Sequence, residues 1–171
     1  MPTLVLDPPP AEIEALLERR RRIGADTHDE MWQGVLHMAP APLRRHARLQ
    51  AQITTLLEPL ARTRGLEAVA DFNLGASGDY RVPDGGLLAP GPDELYMSTA
   101  ALVIEVLSPG DETWAKLPFY AAHHVEEILI VDPEQRAVHW LGLNHGSYQP
   151  IERSAVIGLG PAELAERIDW P

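Results

Sequence analysis

The sequence predicts one α+β domain in which a mixed β-sheet is flanked by helices. Segments with helical and strand-like spacing follow in the order α, α, β-β-β, α, β-β, with no internal repeat and no long linker. Residues 101–108 are apolar on both faces except at Glu105, which is typical of a central strand covered on both sides. Residues 43–64 carry an apolar stripe at helical spacing, as a helix packed on a sheet requires. The length of 171 residues suits one domain with its own core.

The N-terminal part is predicted to form an arm and a helix. Residues 1–10 end in three prolines and are expected to be extended. The segment AEIEALLERRRRIG that follows has helical spacing and ends at Gly24. Its Arg19–Arg22 run is interpreted as a solvated helix end favoured by the helix dipole, with a phosphate or partner contact as the alternative. We therefore divide the chain into residues 1–25 and a single domain over residues 26–171.

The middle of the chain is predicted to contain a hairpin, the longest helix and three strands. MWQGVLHM alternates around Gly34, which favours a short strand or hairpin. Strand-like spacing appears at 67–74, 79–88 and 101–108, between clusters of Gly, Pro and Ser. The helix over about 43–64 has Pro59 near its end and Gly65 after it, and its apolar stripe consists of Leu49, Ile53, Leu56, Leu57 and Leu60.

The C-terminal third is predicted to complete the sheet. A helix is expected at about 112–124, and strands at 126–133 and 136–143 are joined by a tight Asp-Pro-Glu-Gln turn. GSYQPIE is expected to add an edge strand, and PAELAERI a short closing helix.

Composition excludes several classes of protein. With 14 Lys+Arg against 25 Asp+Glu, the net charge of −11 argues against a polycationic nucleic-acid binder. The absence of Cys excludes a disulfide scaffold and thiolate sites. No run approaches about 18 apolar residues and no secretory signal pattern is present, so we expect a cytoplasmic protein without a membrane span. Of the 14 basic residues, the one lysine is Lys116.

Glu105 is the most informative single residue, because it is a carboxylate within a buried strand. Burying an unpaired carboxylate costs several kcal/mol by general solvation arguments, so Glu105 must be paired, protonated or bound to a cation. An ion pair with a buried arginine is one interpretation, and Arg81 is the candidate partner.

Asp84 is a second candidate, in the sequence Val-Pro-Asp-Gly-Gly. Pro83 removes a backbone donor there, and Gly85 and Gly86 permit close approach of a ligand or backbone. Asp84 could be an ordinary turn carboxylate. If 79–88 and 101–108 are neighbouring strands, however, Asp84 and Glu105 can converge on one hard divalent cation, which prefers oxygen ligands.

Lys116 follows Glu105 by eleven residues and lies early in the predicted helix. An exposed lysine on a helix surface is the ordinary interpretation. A helix packed over the end of the strand would instead direct Lys116 at the two carboxylates. Two acids and a lysine at a sheet edge suit phosphodiester cleavage, because the metal activates a water while the ammonium orients it and offsets charge.

These motifs resemble the Uma-type family of putative restriction endonucleases, in the PD-(D/E)XK nuclease superfamily. The resemblance rests on VPD (82–84), IEVLSPGDETWAKLPFY (104–120) and VEEILIVDPEQRAVHWL (125–141), with DEMWQGVLHMAPAPLRRHARLQ (29–50) upstream. It covers about residues 26–152 and implies a restriction-endonuclease-like core. The resemblance further implies a nuclease that uses Mg²⁺ or Mn²⁺.

The resemblance also implies roles for particular residues. Asp84 and Glu105 would be metal ligands, helped by the main-chain carbonyl of Val106. Lys116 would be the catalytic lysine, and Tyr120, one turn later, would support the lysine or the phosphate.

The sequence departs from the superfamily pattern at several positions. Leu107 stands where the strict motif has its lysine, and Gln33 stands where a further carboxylate is expected, with Glu30 as the candidate for that additional acid. After the helix, His124 and Glu126 stand where Gly and Pro are expected.

A basic segment precedes the long apolar stripe. Arg44 and Arg48 share a helix face, and with Arg45 and His46 they form a local basic patch. The patch could contact phosphate or an acidic partner subunit.

The leading hypothesis is therefore a divalent-metal-dependent endonuclease that hydrolyses DNA phosphodiester bonds, with DNA as partner and a homodimer as its expected state. One alternative is a non-catalytic homodimeric binding or assembly protein on the same fold, which the charge of −11 and Gln33 favour. Another is hydrolysis of a small phosphorylated ligand, which would require a closed pocket. A fold alone does not choose among them.

Overall fold

The computed structural model describes the backbone of residues 3–5 and all of residues 10–39, 41–110 and 112–171. The rest of the predicted arm, Pro40 and Asp111 lie outside the described residues. The helices are α1 (Ala11–Arg22), α2 (Arg44–Thr63), α3 (Thr113–Ala122) and α4 (Pro161–Arg167). None of the described helices is long and apolar enough to cross a membrane.

Twelve strands are described within these residues. They are β1 (Thr3–Val5), β2 (Glu30–Trp32), β3 (Val35–Met38), β4 (Glu67–Val69), β5 (Asn73–Ala76), β6 (Asp79–Arg81), β7 (Gly85–Leu88), β8 (Tyr96–Met97), β9 (Leu102–Val106), β10 (Glu127–Asp132), β11 (Ala137–Asn144) and β12 (Ser147–Pro150). They form two six-stranded sheets, of order β1-β3-β2-β6-β5-β8 and β12-β11-β10-β9-β7-β4. Both sheets are mixed, because β5 is parallel to β8 and β9 is parallel to β10.

The predicted α+β class is confirmed. The helix and the hairpin that precede the first long helix form as expected, and the hairpin turns at Gln33 and Gly34, both with positive φ. The three strands and the short helix predicted for the C-terminal third also form. Arg20 ties α1 to the hairpin region through Asp29 at 2.6 Å. The division of the chain at residue 25 stays a prediction.

The second sheet is covered on both faces, as the apolar strand predicted. On one face, α2 contributes Leu49, Ile53, Leu57 and Ala61, which are fully buried against alternate residues of β9 and β10. On the other face, Phe119 and Tyr120 of α3 pack with Val103. Because successive side chains of a strand point to opposite faces, Glu105 shares the face of Val103 and α3.

Two predicted strands are wrong in their extent. Residues 79–88 do not form one strand, because β6 and β7 belong to different sheets and residues 82–84 connect them. Pro83 has no N–H to donate to a ladder, which favours the break at this point. Residues 67–74 likewise divide between β4 and β5, and the two-residue strand β8 was not predicted. Strand periodicity alone did not show that the chain changes sheets.

Candidate active site

The pairing of β7 with β9 brings Asp84 beside Glu105. The two strands are antiparallel with Gly85 opposite Ile104, so the next pair outward is Asp84 and Glu105. The backbone N–H of Val106 donates to Asp84 Oδ2 at 2.7 Å, which fixes this carboxylate against the end of β9. The two acids therefore lie side by side, as expected, although Asp84 lies in the connection over residues 82–84, just before β7 begins at Gly85.

Glu105 is buried and its partners come from α3. Lys116 Nζ lies 3.1 Å from Glu105 Oε1, and the Tyr120 hydroxyl donates to the same oxygen at 2.5 Å. Lys116 and Tyr120 are one helical turn apart and therefore share the face that meets β9. The interpretation of Lys116 as an ordinary exposed lysine is wrong, since its side chain is only 12% exposed.

Arg81 is not the partner of Glu105 in this structure. Its guanidinium lies between the rings of Trp32 and Phe119, at 4.2 Å and 4.0 Å from their centroids. Its Nη1 also donates to Asp79 Oδ1 at 2.9 Å. The buried Glu–Arg pair, which was one interpretation of Glu105, does not form. Glu105 pairs with Lys116, and Arg81 packs between the two rings.

Glu30 joins the same cluster from the first sheet. Lys116 Nζ lies 2.8 Å from Glu30 Oε1, so the ammonium bridges Glu30 and Glu105. The backbone N–H of Val82 and the indole N–H of Trp32 also donate to Glu30, at 2.9 Å and 2.7 Å. Glu30 is therefore held in place by three donors, and Gln33 lies apart from it in the hairpin turn.

The cluster carries three carboxyl groups around one ammonium, and this imbalance perturbs its titration. Burial, with the charges of Asp84 and Glu30, raises the pKa of Glu105 to about 7 against the opposing effect of Lys116. Burial would lower the pKa of Lys116, but the charges of Glu105 and Glu30 outweigh it and hold that pKa above its ordinary value. Burial and the nearby carboxylates raise the pKa of Tyr120 well above its usual range. Lys116 and Tyr120 therefore keep their protons at neutral pH.

His46 was predicted as part of a surface patch, but its ring contacts Asp84. Nε2 lies 2.8 Å from Asp84 Oδ1, and Nδ1 lies 3.1 Å from the Ser108 hydroxyl. One turn later on α2, Gln50 Nε2 donates to the main-chain oxygen of Asp84 at 2.7 Å. Sequence reasoning missed Ser108 and Gln50. The only available signal for Ser108 was its position three residues after Glu105.

The arginines of the predicted patch are not drawn into the carboxylate cluster. Arg44 and Arg45 are exposed at the start of α2, where with Leu43, Arg48 and Pro171 they line an open groove. Arg48 pairs with Asp169. The groove is a surface feature and does not form the closed pocket expected for hydrolysis of a small phosphorylated ligand.

The donor set fits a divalent cation of the Mg²⁺ type. Asp84 and Glu105 supply carboxylate oxygens. Burial raises the pKa of Glu105, and the charges of Asp84 and Glu30, which a cation would offset, raise it further. Within the described residues, no three His, Asp or Glu side chains are grouped so as to hold an ion by themselves. Mg²⁺ commonly takes only one or two carboxylates and fills its other positions with water and phosphate oxygens.

Comparison with known proteins decides the family. A family model described as "Uma2: Putative restriction endonuclease" matches residues 11–163. The chain belongs to the Uma2 family. This confirms the resemblance seen in the motifs around Asp84, Glu105 and Lys116.

One solved structure supports the fold of this Uma2 protein. A crystal structure of a putative nuclease belonging to DUF820, from Anabaena variabilis, is similar with a TM-score of 0.67 and 15% identity over 81% of this chain and 90% of that one. A chain of a DrdV–DNA complex is similar with a TM-score of 0.42 and 18% identity, over 64% of this chain and 10% of that one. No curated protein matches the chain. The predicted restriction-endonuclease-like fold is confirmed by the first of these similarities.

Proposed function

We propose that this Uma2 protein is a divalent-metal-dependent endonuclease that hydrolyses DNA phosphodiester bonds. The observation that carries the proposal is the buried ammonium of Lys116, held between Glu105 and Glu30. Asp84 lies beside Glu105 at the same sheet edge. A cation and an ammonium placed around one phosphate would stabilise the charge that develops on it during cleavage.

Asp84, Glu105 and the main-chain carbonyl of Val106 would hold the metal ion. When bound, Mg²⁺ or Mn²⁺ would polarise the phosphate and lower the pKa of a coordinated water. Glu105 must give up its proton to act as a ligand, and its pKa of about 7 allows this near neutral pH. The Tyr120 hydroxyl donates to Glu105 Oε1 and orients this carboxyl group.

Lys116 would orient the attacking water and offset negative charge in the transition state. An ammonium has three N–H donors, and Glu30 and Glu105 accept two of them, which leaves one for water or phosphate. The charges of Glu105 and Glu30 hold the pKa of Lys116 above its ordinary value, so Lys116 is a cation that donates hydrogen bonds. Glu30 is the positioning acid for this ammonium.

DNA would reach the site over the start of α2. Arg44 and Arg45 are exposed there, two residues and one residue before His46, which contacts Asp84. With a net charge of −11, recognition of the phosphate backbone would be local and assisted by the bound metal. A cytoplasmic two-fold homodimer, in which each copy cuts one strand, belongs to the same proposal.

The proposal is tested by separating metal binding from cleavage. Asp84→Ala and Glu105→Ala are expected to weaken Mn²⁺ binding measured by calorimetry, because each removes a ligand. Lys116→Ala is expected to retain Mn²⁺ but to lose nicking of supercoiled plasmid. Unchanged plasmid cleavage in all three purified, folded variants would refute the proposal.

A non-catalytic binding protein on the same fold is the second candidate. It is favoured by one observation: Glu105 and Asp84 already have partners within the chain, namely Lys116 and His46. In this case the cluster would only stabilise the fold. Wild-type protein that binds no Mn²⁺ and cleaves neither plasmid nor single-stranded DNA would support this candidate.

A further inference from the structure

Asp84 is held by three donors that come from two different elements. His46 Nε2 lies 2.8 Å from Oδ1, and the Val106 N–H donates to Oδ2 at 2.7 Å. Gln50 Nε2 donates to the main-chain oxygen of Asp84 at 2.7 Å. The connection over residues 82–84 has no strand partner of its own, so α2 and the end of β9 determine where this carboxylate points.

The contacts of His46 specify how its ring is used. An ionised Asp84 can only accept a hydrogen bond, so Nε2 of His46 must be the donor. In the neutral ring, Nδ1 is then an acceptor, and the Ser108 hydroxyl at 3.1 Å donates to it. Ser108 lies two residues after Val106, which donates to the other oxygen of Asp84. The four residues therefore close a ring of contacts at the sheet edge.

We propose that His46, with its Nδ1 held by Ser108, is a positioning residue that presents Asp84 to the metal. This inference rests on the proposed function, because it assumes that Asp84 is a ligand. Each carboxylate oxygen has two lone pairs, so the bonds from His46 and Val106 leave one on each oxygen for a cation. Partners of this kind orient metal ligands, and their loss commonly lowers metal affinity by about 10- to 100-fold.

This role differs from the phosphate contact expected from the basic patch. The His46 side chain is 14% exposed and faces Asp84, whereas Arg44 and Arg45 are exposed. The two roles make different predictions, because loss of a phosphate contact would weaken DNA binding and leave Mn²⁺ affinity unchanged.

The test is Mn²⁺ calorimetry on the full chain without DNA. His46→Ala is expected to raise the Mn²⁺ dissociation constant by about 10- to 100-fold. His46→Gln, whose Nε2 is the same number of bonds from Cα as that of His, is expected to restore affinity to within about threefold of wild type. The Mn²⁺ dissociation constant of Ser108→Ala is expected to lie between those of His46→Ala and His46→Gln. Thr55→Ala, an exposed position on the same helix, is the matched control and is expected to bind as wild type does.

Each outcome distinguishes this inference from the proposed function. Wild-type Mn²⁺ affinity in His46→Ala, with affinity lost in Asp84→Ala, would overturn the positioning role and leave the proposed function intact. Wild-type affinity in Asp84→Ala as well would overturn the metal assignment itself. If His46→Ala fails to fold, a His46→Gln variant that folds but binds as weakly as Asp84→Ala would overturn the inference.

Discussion

Loss of the proton from Glu105 should make the metal-free protein less stable as pH rises. Its pKa is about 7 in the folded chain, against an ordinary value of 4.5, because burial and the charges of Asp84 and Glu30 disfavour the carboxylate. The folded state therefore binds more protons than the unfolded state between these values. The stabilisation is fully present below the lower pKa and is lost as pH rises through the higher one.

The size of this effect follows from the two pKa values. At about 1.4 kcal/mol per pKa unit, the free energy of unfolding should fall by about 2 to 3 kcal/mol between about pH 5 and about pH 8. Other groups also titrate in this range, so the comparison is with Glu105→Gln, whose amide is neutral throughout. The difference between the two pH profiles isolates the contribution of Glu105.

Urea unfolding in the presence of a chelator is the assay for this prediction. Wild type should lose stability relative to Glu105→Gln as pH rises, with most of the change between about pH 5 and about pH 7. Parallel pH profiles for the two proteins would refute the reasoning, because they would mean that Glu105 titrates alike in the folded and unfolded states.

Three further predictions concern other parts of the chain. Arg44→Ala with Arg45→Ala should reduce the salt dependence of DNA binding by about two units of slope in a filter-binding titration, and an unchanged slope would exclude both phosphate contacts. His124 has a φ of 55° at the exposed end of α3. His124→Gly should therefore stabilise the fold by about 0.5 to 1 kcal/mol in urea unfolding. A variant less stable than wild type would contradict this prediction. Buried Glu127 accepts hydrogen bonds from the Trp140 indole and three other donors. Glu127→Ala should therefore lower the free energy of unfolding by about 3 kcal/mol or more without changing Mn²⁺ affinity. A selective loss of Mn²⁺ binding would contradict its structural role.

Local patterns predicted the elements that carry the candidate site. The continuous apolar run around Glu105 predicted a doubly covered strand, and β9 is buried at all five positions. The helix after it places Lys116 over that strand, which was one of the two interpretations left open for this lysine. These features depend on short stretches of chain, where burial and periodicity are encoded directly. The catalytic and metal-binding roles of Asp84, Glu105 and Lys116 stay predictions.

The parts that were missed depend on contacts between distant segments. Nothing near Asp84 in sequence shows that His46 of α2 lies 2.8 Å from it, because this contact spans 38 residues. Glu30 was a candidate acid only through the family resemblance, and its contact with Lys116 joins the two sheets. Arg81 was one candidate partner of Glu105, but its guanidinium lies between the aromatic rings of Trp32 and Phe119.

The corner after α3 shows a different kind of departure. Gly is the residue best suited to a left-handed conformation, and the sequence has His124 instead. The backbone nevertheless adopts a positive φ at His124, so the turn is kept and its side chain is exposed. The position of the left-handed residue was therefore identified correctly from the sequence. Having His in place of Gly affects the conformational energy of this turn more than its backbone geometry.

The most direct test of the central claim is the rate of plasmid nicking by Lys116→Ala at a Mn²⁺ concentration that saturates the variant. Removal of the ammonium between Glu30 and Glu105 should lower the rate by at least about 100-fold while Mn²⁺ stays bound, since this charge acts on the transition state. Nicking at the wild-type rate by the Mn²⁺-saturated variant would contradict the account.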